Sequence, residues 1–200
     1  MKCLKSIFLI PFVFILFTTP FPIKAQEKQT SNTSLSGFRA EYLSQLDGVK
    51  KEILDLENAV PQEKFSWRPM EGVRSVSEVY LHISGSVYLI LGFANYESPK
   101  EISYSGKRKE WETATTNKGE IQKSLVQAFD FLSSTVTKIS DDDLEKKFQL
   151  FGKESTLRNA LMTIMNHLHE HLGQSIAYAR TNGIVPPWTA ERQAKEKEKK

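Results

Sequence analysis

Cysteine is nearly absent: the 200-residue chain has one, Cys3. It precedes the apolar run at residues 7–17, where a lipoprotein cysteine would follow it, and the chain beyond Ala25 has none. That excludes disulfides, a cysteine nucleophile and thiolate metal ligands from the mature chain. Histidine and carboxylate remain as candidate metal donors.

The N-terminal apolar run is short of membrane length. Residues 7–17 (IFLIPFVFILF) are broken by Pro11 and fall short of the roughly 20 residues a spanning helix needs. Lys2 and Lys5 precede this run, and Ile23-Lys24-Ala25 follows it with a small residue before Gln26. The pattern predicts a signal peptide over residues 1–25, cleaved near Ala25. The expected product is a periplasmic or secreted protein with no stable membrane span; an uncleaved N-terminal anchor is the alternative. Charge of one sign is lacking too. The chain has 27 Lys+Arg and 24 Asp+Glu, and loss of Lys2, Lys5 and Lys24 with the signal leaves 24 of each. Nothing in that balance favours a nucleic-acid partner.

What is present is helical periodicity. Residues 26–36 are polar and Ser/Thr-rich, a flexible lead-in. From Phe38 the apolar residues Tyr42, Leu46, Val49, Ile53, Leu56 and Val60 step by three or four, which predicts a first helix ended by Pro61. Ser75 and Glu78 form an S-x-x-E capping box. It opens a second helix striped by Val76, Val79, Ile83, Val87, Ile90 and Leu91. Asn117 and Glu120 cap a third, carrying Ile121, Leu125, Phe129 or Ala128, Leu132, Val136 and Ile139. Thr156 caps a fourth, carrying Leu157, Leu161, Ile164, Leu168, Leu172 and Ile176, with Asn182-Gly183 and Pro186-Pro187 as its stop.

Between the second and third helices, residues 97–116 show no period and read as a long crossover of the bundle. Phe148–Gly152 reads as a short extended or hairpin piece. The sum is an all-α four-helix bundle over residues 37–188, followed by a charged tail at 189–200 expected to be solvated and frayed.

Histidine is scarce but concentrated. Three of the four, His167, His169 and His171, lie within Asn166–Gln174. The i, i+4 spacing of His167 and His171 puts both rings on one helix face, the arrangement that offers two imidazoles to one ion. His82, at the margin of the second helix's apolar stripe, is the candidate third ligand. His169 is about 200° around the helix from that face and is set aside. Gln174 and Glu170 stand three residues after His171 and His167, where either could orient an imidazole or simply meet solvent; for Glu170 solvent is favoured. Tyr80 and Tyr178 either line a pocket above the metal or belong to the core.

Three stretches carry a resemblance: Trp67-Arg68-Pro69 with Gly72-Val73-Arg74-Ser75 and His82; Leu150-Phe151-Gly152; and His167-Leu168-His169-Glu170-His171-Leu172-Gly173-Gln174 running on to Tyr178, Arg180, Gly183 and Pro186-Pro187. In these the chain resembles the DinB/YfiT-like superfamily of four-helix-bundle metalloproteins. The resemblance implies His82, His167 and His171 as ligands of a divalent cation, commonly nickel, zinc or iron(II). It also implies, for members with an established activity, thiol-dependent transfer or isomerisation, and often a homodimer. The expected function is a metal-dependent enzyme, hydrolase or thiol-transferase-like, acting on a small molecule. A non-catalytic metal- or ligand-binding module of the cell envelope is the alternative, and a purely structural metal staple between the second and fourth helices is a third.

Overall fold

The computed structural model describes residues 35, 37–100, 102 and 107–199. The signal segment and nearly all of the lead-in lie outside them. The helices begin where the caps stand. Helix α1 covers Gly37–Ala59, and α2 covers Val76–Phe93. At the start of α2 the Ser75 hydroxyl accepts from the Glu78 amide while the Glu78 carboxylate accepts from the Ser75 amide. The preceding loop satisfies two further amides of the first turn, which have no partner inside the helix. Val76 N donates to Trp67 O and Ser77 N to Phe65 O, and Phe65 is fully buried, so the loop is fixed to the bundle.

A five-residue helix α3, Arg108–Glu112, occupies part of the connection read as aperiodic. Helix α4 covers Lys118–Lys138, with the Asn117 side chain accepting from Glu120 N. The hairpin is formed by β1, Lys147–Leu150, and β2, Lys153–Thr156, paired antiparallel. Its two turn residues, Phe151 and Gly152, both have positive φ, 50° and 78°, as a two-residue primed turn requires. Helix α5, Leu157–Thr181, is capped by Thr156. Gly183, at φ 74°, ends it.

Four long helices enclose the core. Leu46, Ile53 and Leu56 of α1, Ile83 and Leu91 of α2, Ile121, Leu125, Phe129 and Leu132 of α4, and Leu161 and Leu168 of α5 are sealed from solvent. Ala128 and Phe129 are both buried, so both alternatives for that stripe position face inward. Helix α2 is long and apolar enough to cross a membrane by length and composition, but most of it is buried inside the bundle.

The long connection has a physical reason. Ser124 Oγ lies 2.9 Å from Ser84 Oγ, and Phe131 stacks at 5.6 Å on Tyr88. Residue numbers therefore rise together along α2 and α4. Parallel neighbours need a segment that returns the length of the first helix, whereas antiparallel ones need only a short loop. Helix α3 packs on α2 within that return. By contrast α2 and α5 are antiparallel, pairing His82 with His167 and the Arg74 carbonyl with Tyr178.

The expected frayed tail is instead helix α6, Pro187–Glu198. The diproline stops α5, and Pro187 then occupies a first-turn position, where its fixed φ and missing amide favour a new helix. Trp188 packs against the core, but no residue of α6 is fully buried.

Candidate metal centre

Each histidine is positioned by an ordinary helix. His82 projects from the margin of the α2 stripe, and His167 and His171 from one face of α5, so the antiparallel contact of these helices brings the three rings together. Ring centroids are 4.8 Å apart for His82–His167, 4.7 Å for His82–His171 and 4.4 Å for His167–His171. One nitrogen from each can be chosen so that all three lie within 4.8 Å of one another. Ligand nitrogens about 2.0–2.1 Å from a tetrahedral ion are about 3.3 Å apart. The spacings thus bracket what an ion needs, and small ring rotations would close the set.

The outer ring nitrogens are held. His82 Nδ1 lies 2.7 Å from Glu112 Oε1, and His171 Nδ1 lies 2.8 Å from Gln174 Oε1. A carboxylate or amide oxygen can only accept, so both Nδ1 atoms carry the proton and both Nε2 lone pairs are free to face inward. His82 Nε2 and His167 Nε2 are 2.9 Å apart, so the pair must share a proton or face one cation. Ser86 Oγ is 3.4 Å from the same His167 nitrogen.

Electrostatics keep the His82 and His167 rings neutral. Burial lowers the pKa of His82 to about 4, helped by the Arg74 charge and His171 and only partly offset by Glu112. Burial likewise lowers that of His167 to about 3, with His171, His82 and Arg74 adding to it. Neutral imidazole is the metal-binding form.

Glu112 is the residue that spacing did not reveal. Burial works against its ionisation, but hydrogen bonds and charge from Arg74, together with His82, hold its pKa below the usual carboxylate value. Arg74 grips it through Nε to Oε2 and through its terminal nitrogen to Oε1, each at 3.0 Å. No period marks Glu112 in the sequence, and its partners lie 30 and 38 residues upstream. Its one local sign is that an acid follows closely on three successive bases, Lys107, Arg108 and Lys109.

The remaining expected residues separate. Gln174 holds His171 and donates from Nε2 to Tyr178 OH at 3.0 Å, and Tyr178 donates to the Arg74 carbonyl at 3.1 Å. His82 and His171 are thereby joined by one outer circuit through Glu112, Arg74, Tyr178 and Gln174. Tyr80 is placed elsewhere: it is buried against Phe65 and does not line the cavity beside the histidines. Of the two expectations for it, pocket or core, the core is where its ring sits. His169 turns away, with Nδ1 on the Met165 carbonyl, and Glu170 is exposed. Beside His82 and His167 a cavity of about 170 Å³ opens, walled by Leu89, Ile90, Trp111 and Phe151.

Fold and site together define a class: a four-helix bundle with three convergent histidines able to hold one metal ion. The chain belongs to the DinB superfamily, whose family model matches residues 45–175. No curated protein matches it. Among solved structures it is similar to a DinB-like protein from Bacillus cereus, with a TM-score of 0.62 and 20% identity over 74% of this chain and 95% of that one. It is similar also to YfiT from Bacillus subtilis, described as "a probable metal-dependent hydrolase with an unusual four-helix bundle topology", with a TM-score of 0.60 and 17% identity over 76% of this chain and 93% of that one. A third is a mycothiol-dependent maleylpyruvate isomerase, with a TM-score of 0.53 and 13% identity over 67% of this chain and 59% of that one. At these identities the likeness is one of fold.

Proposed function

We propose that His82, His167 and His171 bind one divalent transition ion, nickel, zinc or iron(II), and that the protein is a metal-dependent enzyme acting on a small molecule. Hydrolysis and thiol transfer are the reaction classes to test first, in keeping with what is said of the hydrolase-like and thiol-dependent proteins of the same fold. The supporting observation is the cavity against His82 and His167, because three protein ligands with space beside them are the pattern of a catalytic rather than a closed structural site. A divalent ion bound there supplies Lewis acidity. The chain's own residues do the rest: Glu112 and Gln174 fix two rings, Ser86 offers a hydroxyl at the cavity wall, and the apolar walls limit water.

One observation favours the second reading, a non-catalytic binding module. Glu112, the carboxylate lining the cavity, is already engaged by Arg74 and His82, and so is not free to act as a base. Export of the processed chain and a homodimer are part of the same proposal.

The deciding experiment is metal content by elemental mass spectrometry on the purified protein and on a His82→Ala, His167→Ala variant, followed by a substrate screen. About one equivalent in the wild type only supports the site, and turnover lost in a folded His171→Ala variant supports the enzyme. No metal in either protein after reconstitution with all three ions overturns the reading.

A further inference from the structure

Two spaces meet at Glu112. One is the cavity of about 170 Å³ beside the histidines, apolar on Leu89, Ile90, Trp111 and Phe151. A dry cavity of this size holds about one aromatic ring. The other is a polar cleft of about 470 Å³, bordered by Arg68, Arg74, Arg108 and Lys109 with Glu78 and Glu112. Arg108 and Glu112 line both.

The cleft carries four cations against two carboxylates, and both carboxylates are already used. Glu78 is bound by Arg68 and by the α2 cap. Glu112 is bound twice by Arg74 and once by His82. Arg108 reaches Glu112 only at 3.6 Å, with its side chain 67% exposed. Lys109 has no ion-pair partner among the described residues and is exposed. Arg108 at the shared mouth and Lys109 in the adjoining cleft therefore leave a net positive charge, where an anion would find charge-assisted donors.

Resting on the metal-enzyme reading above, we propose the substrate class: a small amphiphilic anion, with an apolar body of about one ring in the cavity and a carboxylate or phosphate held by Arg108 at the mouth and Lys109 in the adjoining cleft. Phe151 supports the apolar half. It stands at the hairpin turn on the cavity rim, 57% exposed while packed edge-on to Phe93 at 5.1 Å. An exposed aromatic on the rim of an apolar cavity offers its ring to a ligand body.

Binding is measured by calorimetry on the purified protein, chelator-treated and zinc-loaded, with four probes: phenylacetate, phenyl phosphate, 2-phenylethanol and acetate. In the chelator-treated protein at least one of the two aromatic anions binds about tenfold or more tightly than both 2-phenylethanol and acetate, a preference that one charge-assisted contact can supply. Arg108→Gln with Lys109→Gln removes the preference, so that within the variant the aromatic anions bind no more tightly than 2-phenylethanol. Leu89→Trp fills the cavity and removes binding of the aromatic probes. The relative affinity of phenylacetate and phenyl phosphate tells carboxylate from phosphate.

Equal binding of neutral and anionic probes, or a preference that survives the double substitution, overturns the proposal. If the double variant loses helicity, Lys109→Gln alone must reduce the preference. Zinc stoichiometry on the same samples separates the two readings. Anion preference without zinc overturns only the metal site, and one zinc without anion preference overturns only the substrate class.

Discussion

Oε1 of Glu112 lies 2.7 Å from Nδ1 of His82, and the same carboxylate is held on both oxygens by Arg74. Its charge and geometry fix which nitrogen of His82 faces the other two rings. Glu112→Gln should keep the side chain's shape while removing the charge, and an amide can present its NH₂ to the ring. Loss of such a partner typically costs about 10–100-fold in metal affinity. Zinc titration against a competing chelator reads this directly; an unchanged affinity would show that Glu112 does not position His82.

The neutral histidines give a signed pH dependence. Their pKa values fall from 6.5 in an exposed ring to about 4 for His82 and about 3 for His167. Between 6.5 and those values the unfolded chain binds more protons than the folded one, so this contribution to stability of the metal-free protein is full above pH 6.5. It is lost as pH falls through the window and levels off below about 3. A His82→Gln, His167→Gln variant should lose less stability than the wild type between pH 7 and pH 4.5 by urea denaturation.

Glu57 acts with the opposite sign. It is sealed in the bundle, and burial pushes its pKa from 4.5 up to about 7, against the pull of Lys118 and Gln122. The folded state therefore holds the proton more tightly, and stability from this group is present below pH 4.5 and lost as pH rises through about 7. At 1.36 kcal/mol per pH unit the cost above pH 7 is on the order of 3 kcal/mol. Glu57→Gln should raise the melting temperature at pH 8 and change it little at pH 4.5.

Metal removal should soften the protein without unfolding it. The core from α1, α2, α4 and α5 is closed without an ion. Free metal at about 100 times its Kd contributes roughly 2.7 kcal/mol, or roughly 5–10 °C in a chain of this size. Calorimetry before and after chelation tests this, and an apo-protein unfolded at room temperature would favour a structural staple.

Much of the framework was legible from the sequence because it is encoded locally. Ser75, Asn117 and Thr156 cap helices by bonds to residues three positions on, and the buried stripes follow a 3.6-residue period. The Phe148–Gly152 piece, left between strand and hairpin, is a hairpin because Phe151 and Gly152 both take positive φ. Two features escaped for opposite reasons. Helix α6 was hidden by a diproline that ends one helix and begins another. Helix α3 is too short for periodicity to show.

The i, i+4 spacing of His167 and His171 is a property of one helix, and the sequence by itself determined that they share a face. Their meeting with His82 depends on how α2 packs against α5. So does the circuit from Glu112 through Arg74, Tyr178 and Gln174, whose members lie on two helices and a loop. Only the tertiary structure decided these, and it also decided that Tyr80 belongs with Phe65 in the core and that Arg108 and Lys109 border a cleft. Helix periodicity and capping act over a few residues of chain. The partner of a buried charge is chosen by packing between segments tens of residues apart, which leaves no local pattern to read.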